Sequence, residues 1–190
     1  MMPSSCLALL YSRAQIEHRV TELARAIDAD YVRRDVLLLG VLKGSFVFLA
    51  DLVREMELEV RIGFVNVSSY SAGTEFSNAP DVQVPTDLQI AGQDVLVVED
   101  ILDTGRSMTV LLDVLRGYAP RSIRLCTLID KRERRVTPVE ADYVGFQLEN
   151  GFVVGYGLDH LGRFRTLPEI FTLDMEATKA LSLSHQPEQS

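Results

Sequence analysis

The chain has only two cysteines and three histidines, too few and too scattered to predict a disulfide framework or a metal site built on them. Cys6 and Cys126 lie far apart and lack the short spacing of metal ligands. Cys126 lies in an apolar run, which predicts a small buried side chain. The histidines, His18, His160 and His185, show no ligand spacing either and receive no role. This cysteine usage agrees with a reducing compartment, so we expect a cytoplasmic protein.

Basic residues are outnumbered, since 19 Lys and Arg against 27 Asp and Glu give a formal net charge of −8. This balance repels a polyanion, so we expect no nucleic-acid partner. A small phosphorylated ligand is not excluded, because local dipoles and a bound cation act on it more strongly than the global field.

Long hydrophobic runs are also lacking. The apolar stretch 6–11 is much shorter than a membrane span, and no basic residue precedes it as in a signal peptide. We therefore expect neither membrane association nor a targeting segment. With 190 residues, of which 47% are hydrophobic and 24% charged, the chain has the size and composition of a single globular domain.

Apolar periodicity in the first third predicts two helices and two strands. Ser12–Gln15 has the form of a capping box that begins a helix. The unbroken apolar run Val36–Leu42 is typical of a strand covered on both faces. A helix over 45–56 and a strand over 59–67 should follow. The apolar alternation of this second strand is carried by Val60, Ile62 and Phe64.

The middle of the chain repeats this alternation of helices and strands. A short buried strand, Val95–Val98, precedes a helix that ends at Gly117, and Ile123–Ile129 forms another buried strand. This alternation predicts an α/β fold, a parallel sheet with right-handed crossovers and flanking helices. Between the two halves, 68–87 is rich in Ser, Gly, Asn, Pro and Asp, which predicts a long functional or mobile loop.

Polar clusters follow three of the predicted strands. They are Lys43–Ser45, Glu99–Ser107 and Asp130–Lys131. Ligands of open α/β sheets bind beyond the carboxyl ends of the strands, so these clusters predict the location of the site.

The segment 97–107 is the most informative, because a buried strand runs into acidic residues, a Thr-Gly turn and a helix start. The hydroxyls of Thr104 and Ser107, with the N–H groups of the helix end, can hold a phosphate monoester. Glu99, Asp100 and Asp103 would repel one another unless a cation or ligand hydroxyls lie between them. A phosphosugar bound with Mg²⁺ suits this combination. The alternative is that the acids cap a helix and the glycine only permits a tight turn.

The same segment resembles the phosphoribosyl pyrophosphate (PRPP) signature of type I phosphoribosyltransferases, and 36–167 resembles the hypoxanthine-guanine branch of that family. The resemblance implies transfer of ribose 5-phosphate from PRPP to a 6-oxopurine, with release of pyrophosphate and with Mg²⁺ as cofactor. It leaves open whether hypoxanthine, guanine or xanthine is preferred.

Further motifs carry the resemblance. Leu42–Ser45 resembles the pyrophosphate loop, whose peptide before the lysine is characteristically cis. Ser69–Tyr70 resembles the start of the mobile catalytic loop, and Lys131 the lysine that binds the purine 6-oxo group. Phe152–Asp159 resembles the segment that stacks on the base and helps to hold Mg²⁺, although an aromatic residue usually follows the Asp where this chain has His160.

By this resemblance, catalytic roles fall to Lys43, Ser69, Tyr70, Asp103 and Arg165, and metal binding to Glu99, Asp100 and Asp159. The arginines that follow Lys131 are interpreted as surface or subunit-contact residues; they are Arg132, Arg134 and Arg135. The implied substrate-binding residues are Leu42, Lys43, Gly44, Glu99, Asp100, Asp103, Thr104, Gly105, Arg106, Ser107, Lys131, Phe152, Val153, Asp159 and Arg165.

The resemblance also implies one domain over 1–175. Its core covers about 30–150, a hood is built from about 1–15 and 155–175, and 176–190 forms a flexible tail. A homodimer or homotetramer is expected. Two other classes remain open, an RNA-binding regulatory relative on the same fold and a non-catalytic homologue. The acidic charge argues against the first, and the full set of acids with Lys43 and Asp159 argues against the second.

Overall fold

The described chain, residues 6–68 and 80–177 of a computed structural model, alternates strands with helices. A 3-10 turn, Arg132–Arg134, follows the sixth strand. In chain order the elements are β1 (Leu7–Tyr11), α1 (Arg13–Asp30), β2 (Val36–Leu42), α2 (Phe46–Glu55), β3 (Arg61–Ser68), β4 (Asp81–Gln83), β5 (Asp94–Leu102), α3 (Arg106–Arg116), β6 (Ser122–Asp130), β7 (Tyr143–Gln147), β8 (Phe152–Val154) and β9 (Ile170–Leu173).

The main sheet has the strand order β4-β3-β2-β5-β6-β7. All neighbouring strands run parallel except β4, which pairs antiparallel with β3. Helices α1 and α2 pack on one face of the sheet, and α3 packs on the other. The predicted α/β fold with a parallel sheet flanked by helices is therefore confirmed.

Strand β2 shows why its sequence is apolar without alternation. Leu38 points into the core under α1 and α2, whereas Leu37 and Leu39 point into the core under α3. Both sets are buried, because each face of a central parallel strand is covered by helices.

The first helix begins as predicted. The Ser12 side chain accepts a hydrogen bond from the Gln15 N–H at 3.4 Å, and the Gln15 side chain accepts one from the Ser12 N–H at 2.9 Å. This reciprocal pair is the capping box. The apolar face of the helix is fully buried and consists of Ile16, Val20, Leu23, Ala24 and Ile27.

The predicted second strand is present as β3, but its apolar alternation does not mark the buried face. Ile62 and Phe64 are 48% and 41% exposed, whereas Gly63 and Val65 on the opposite face are buried. The buried face lies under the Leu88 side chain, which approaches so closely that a Cβ on Gly63 would lie 2.6 Å from it. A glycine carries no hydrophobic signal, so the alternation in the sequence marks the uncovered face.

The segment expected to be one long loop contains the short strand β4, whose Asn66–Gln83 and Ser68–Asp81 pairings extend the sheet edge. Residues 69–79, which include the predicted loop residues Ser69 and Tyr70, lie outside the described residues.

A second sheet joins the two ends of the described chain. Its strand order is β1-β9-β8, all antiparallel, and it buries a small core of Cys6, Val154 and Leu173. Helix α1 packs on α2 and β7, and so belongs to the main layer. Among the described helices, none is both long and apolar enough to cross a bilayer.

Candidate active site

A cavity of about 260 Å³ opens at the carboxyl ends of β2 and β5, where the polar clusters were predicted to meet. Ten of the predicted substrate-binding residues line it, as do several apolar side chains of the sheet and of α3. These ten are Leu42, Gly44, Glu99, Asp100, Asp103, Thr104, Gly105, Ser107, Asp159 and Arg165.

The turn Asp103–Gly105, here called the phosphate loop, connects β5 to α3. Gly105 is the N-cap residue of α3 and has φ 81°, a left-handed conformation that glycine adopts without strain. Gly105 has no side chain that could cap α3, and the Thr104 hydroxyl accepts the Arg106 N–H only at 3.5 Å. Among the described residues, none of the three acids accepts a hydrogen bond from the start of α3, which argues against the helix-capping alternative. Gly105 and Ser107 line the cavity, so this helix end is a potential phosphate site.

Two carboxylates lie side by side at the end of β5. Asp100 is buried and its Oδ1 accepts the N–H of Ile101 at 2.9 Å. Burial raises the pKa of the Glu99 carboxyl well above its usual range, and the neighbouring Asp100 raises it further. Burial likewise raises the pKa of Asp100. The pair is thus poorly neutralised in the protein alone, which suits a site completed by a cation or by ligand hydroxyls.

Gly44 is required by this acid pair. A Cβ on Gly44 would lie 1.7 Å from Asp100 Oδ2, so no other residue fits unless the carboxylate moves. The Leu42–Lys43 peptide is cis, as the resemblance predicted. The Lys43 side chain is exposed and does not line the cavity.

Arg165 and Asp159 form an ion pair at the opposite wall, with Nη2 to Oδ1 at 2.6 Å. The Arg165 Nη1 donates to the Gly157 carbonyl at 2.6 Å, and Asp159 Oδ2 accepts the N–H of Gly162 at 2.8 Å. Both oxygens of Asp159 therefore already have partners. Within the described ranges, no group of three His, Cys, Asp or Glu residues is close enough to hold a metal ion, so Glu99, Asp100 and Asp159 do not form a ready-made metal cluster.

The predicted base-binding residues lie beyond the cavity lining. Lys131 is buried, its Nζ donates to the Gly151 carbonyl at 2.6 Å, and burial lowers its pKa. Phe152 is 37% exposed and contacts His160 edge to face, with ring centroids 5.2 Å apart. Val153 is buried. His160, which received no role, thus packs against the ring predicted to stack on the base.

The basic run after Lys131 contains residues whose importance the sequence did not reveal. Arg135 is only 13% exposed; its Nε donates to the Asp103 carbonyl at 3.0 Å and its Nη2 to the Leu102 carbonyl at 3.1 Å. It also pairs with the buried Asp130. The interpretation of Arg135 as a surface residue is wrong, because its guanidinium supports the phosphate loop from behind. Arg106, also predicted to bind substrate, is exposed at the start of α3.

Comparison with known proteins gives consistent matches. A profile of the phosphoribosyl transferase domain matches residues 10–161. The bifunctional protein TilS/HprT of Listeria innocua is 40% identical over 168 residues, which are 88% of this chain and 26% of that protein. A hypoxanthine-guanine phosphoribosyltransferase of Streptococcus pyogenes is 38% identical over 176 residues, 93% of this chain and 98% of that enzyme. The crystal structure of a hypoxanthine-guanine phosphoribosyltransferase from Bacillus anthracis superimposes with a TM-score of 0.82 at 40% identity, covering 88% of this chain and 98% of that one.

Proposed function

Because the chain belongs to the phosphoribosyl transferase domain family, we propose that it is a purine-salvage enzyme that joins hypoxanthine or guanine to the ribose 5-phosphate of PRPP, giving IMP or GMP and pyrophosphate. One observation carries the proposal beyond the family. The start of a helix, a glycine turn, the buried Asp100 and the half-buried Glu99 line one cavity, and these groups match the phosphate and hydroxyls of a phosphosugar.

PRPP is held at three points in this proposal. The N–H groups at the start of α3, with Thr104, Arg106 and Ser107, bind the 5′-phosphate. Glu99 and Asp100 accept the ribose hydroxyls, and the support for this is that both carboxyls line the cavity beside the phosphate loop.

The third point of contact is the pyrophosphate, which is bound by the Leu42–Gly44 turn, Lys43 and Arg165. Glu99, Asp100 and Asp159 are the carboxylates that would hold Mg²⁺, one or two of them directly and the rest through waters, with PRPP oxygens completing its shell. When bound, the cation supplies positive charge for the departing pyrophosphate. Asp159 must then share or release Arg165, its present partner.

The purine lies on the side of Lys131, Phe152 and Val153. Lys131 donates to the 6-oxo group, Phe152 stacks on the ring and the Val153 backbone reads the base edge. N9 of the base bonds to C1 of the ribose as the bond from C1 to pyrophosphate breaks, and N7 gives its proton to the carboxylate of Asp103. Ser69 and Tyr70, which lie outside the described residues, keep their proposed catalytic role of excluding water, the competing nucleophile.

The proposal also covers the hood, the oligomeric state and the cellular location. The sheet β1-β9-β8, with the segments that flank it, acts as the hood beside the base. The enzyme assembles as a homodimer or homotetramer, and it works in the cytoplasm. No nucleic acid or membrane takes part.

A turnover assay tests the proposed function. Purified protein with PRPP, Mg²⁺ and either hypoxanthine, guanine or xanthine should release pyrophosphate and form the matching nucleotide with hypoxanthine, with guanine or with both. An RNA-binding regulatory protein would instead show no turnover and would bind RNA at physiological salt. Turnover with xanthine alone would support a xanthine-preferring enzyme and contradict the proposed base.

A further inference from the structure

The segment Arg134–Thr137 lies along the back of the phosphate loop. Arg135 holds the carbonyl of Asp103 at 3.0 Å, and the N–H of Val136 donates to the carbonyl of Thr104 at 3.0 Å. A Cβ on Gly105 would lie 2.4 Å from the hydroxyl of Thr137, the last residue of the segment. The backbone of the loop is therefore fixed from one side, and only its side chains remain free to choose a rotamer.

The two oxygens of the Asp103 carboxylate lie in different environments. Its Oδ1 is buried and has no hydrogen-bond partner among the residues that the structure describes. Its Oδ2 lies 3.0 Å from Arg134 Nη1, and the side chain as a whole is 32% exposed. Because Oδ1 is covered, Oδ2 is the oxygen that a ligand can reach, and it is also the oxygen that Arg134 holds.

We propose that Arg134 is a positioning residue for the reaction, which holds Asp103 in the rotamer that presents Oδ2 to N7 of the incoming purine. This rests on the proposed function, in which Asp103 accepts the N7 proton. A carboxylate oxygen has capacity for two hydrogen bonds, so Oδ2 accepts from Arg134 and from the base together. Without Arg134, the carboxylate is free to populate the other staggered wells, in which Oδ2 no longer faces the base.

Arg134 is exposed, so its replacement can be tested with little expected effect on the fold. Its side chain is 56% exposed and forms an ion pair with Asp103. Exposed ion pairs contribute little to stability, so removing Arg134 should leave the fold and the melting temperature nearly unchanged. A matched control is Arg116, an exposed arginine on α3 that pairs with Asp113 and does not line the cavity.

The experiment compares Arg134→Ala, Arg134→Lys, Arg116→Ala, Asp103→Asn and the double variant Arg134→Ala/Asp103→Asn by steady-state kinetics. Arg134→Ala should lower kcat about tenfold, the scale of one charge-assisted hydrogen bond, with the KM for PRPP within about twofold of wild type. Arg134→Lys should recover part of the loss. Arg116→Ala should match wild type, and Arg134→Ala should have no effect in the Asp103→Asn background.

Two results would overturn the positioning role alone. One is an Arg134→Ala variant at or above the wild-type kcat while Asp103→Asn is slow. The other is an equal loss from Arg134→Ala with and without Asp103, because Arg134 would then act through some other group. An Asp103→Asn variant at the wild-type rate would instead overturn the proton-acceptor assignment, and the positioning role with it.

Discussion

Gly44→Ala should damage PRPP use without unfolding the protein. The added Cβ would lie 1.7 Å from Asp100 Oδ2 and 2.4 Å from Asp100 Cγ, whereas such contacts in proteins essentially never fall below 3.0 Å. Either the Asp100 carboxylate or the Leu42–Gly44 turn must therefore shift by more than about 1 Å. The proposed ribose contact and the proposed pyrophosphate contact cannot both be kept.

The size of the effect follows from that displacement. A misplacement of about 1 Å at a reacting centre costs on the order of 10²-fold in rate, equivalent to about 2.7 kcal/mol of transition-state stabilisation. We therefore expect kcat/KM for PRPP to fall about 100-fold. The KM for hypoxanthine should change less, since Lys131 and Phe152 lie outside the lining of the cavity that contains Gly44.

Initial rates measured as a function of PRPP concentration at saturating hypoxanthine, together with a melting curve, distinguish a loss of PRPP use from misfolding. Gly117→Ala is the matched control, because Gly117 ends α3 with φ −61° and its added Cβ would meet only the Val114 carbonyl at 3.1 Å. A Gly44→Ala enzyme with wild-type kcat/KM for PRPP would refute the reasoning that Asp100 and this turn form one binding surface.

Two further predictions concern the acids of the site. Asp159→Asn should raise the Mg²⁺ concentration needed for half-maximal rate several-fold. The melting temperature should change little, because the partly exposed ion pair with Arg165 contributes about 1 kcal/mol at most. An unchanged Mg²⁺ requirement with a lower melting temperature would mean that Asp159 has only a structural role. Glu99→Gln should raise the melting temperature of the ligand-free protein at neutral pH and give no gain below pH 4.5, the ordinary pKa of this carboxyl. Folding raises the pKa of Glu99, so the protein loses stability as the pH rises above the pKa of the unfolded state. A melting temperature at neutral pH that is equal to or lower than that of wild type would show that burial of Glu99 is not the source of its raised pKa.

Patterns that depend on one segment alone were predictable from the sequence. The capping box at Ser12 and the apolar run of β2 are local signals, and both have the predicted bounds in the structure. The phosphate loop was predictable for the same reason, since its acids, turn and helix start are contiguous in 97–107.

Features that depend on what packs against a segment were not predictable. The buried face of β3 contains Gly63, and only the position of Leu88 reveals that this face is covered. Arg135 looks like any arginine of a basic run until the fold brings the carbonyls of Leu102 and Asp103 within reach of its guanidinium. Likewise, the contact between Phe152 and His160 joins residues of β8 and a later turn, and no periodicity in the sequence relates them.

Selection of a 6-oxopurine by this site is tested most directly by the ratio of kcat/KM for hypoxanthine to kcat/KM for adenine. Lys131 is buried and can only donate, whereas adenine presents a 6-amino donor in place of the oxo acceptor. A site built to hydrogen-bond one polar group rejects an analogue lacking it by roughly 10⁴–10⁵-fold. Hypoxanthine should therefore be preferred by a factor on that order, and Lys131→Ala should weaken purine use while PRPP affinity stays nearly intact. Use of adenine within about tenfold of hypoxanthine would contradict the 6-oxopurine assignment.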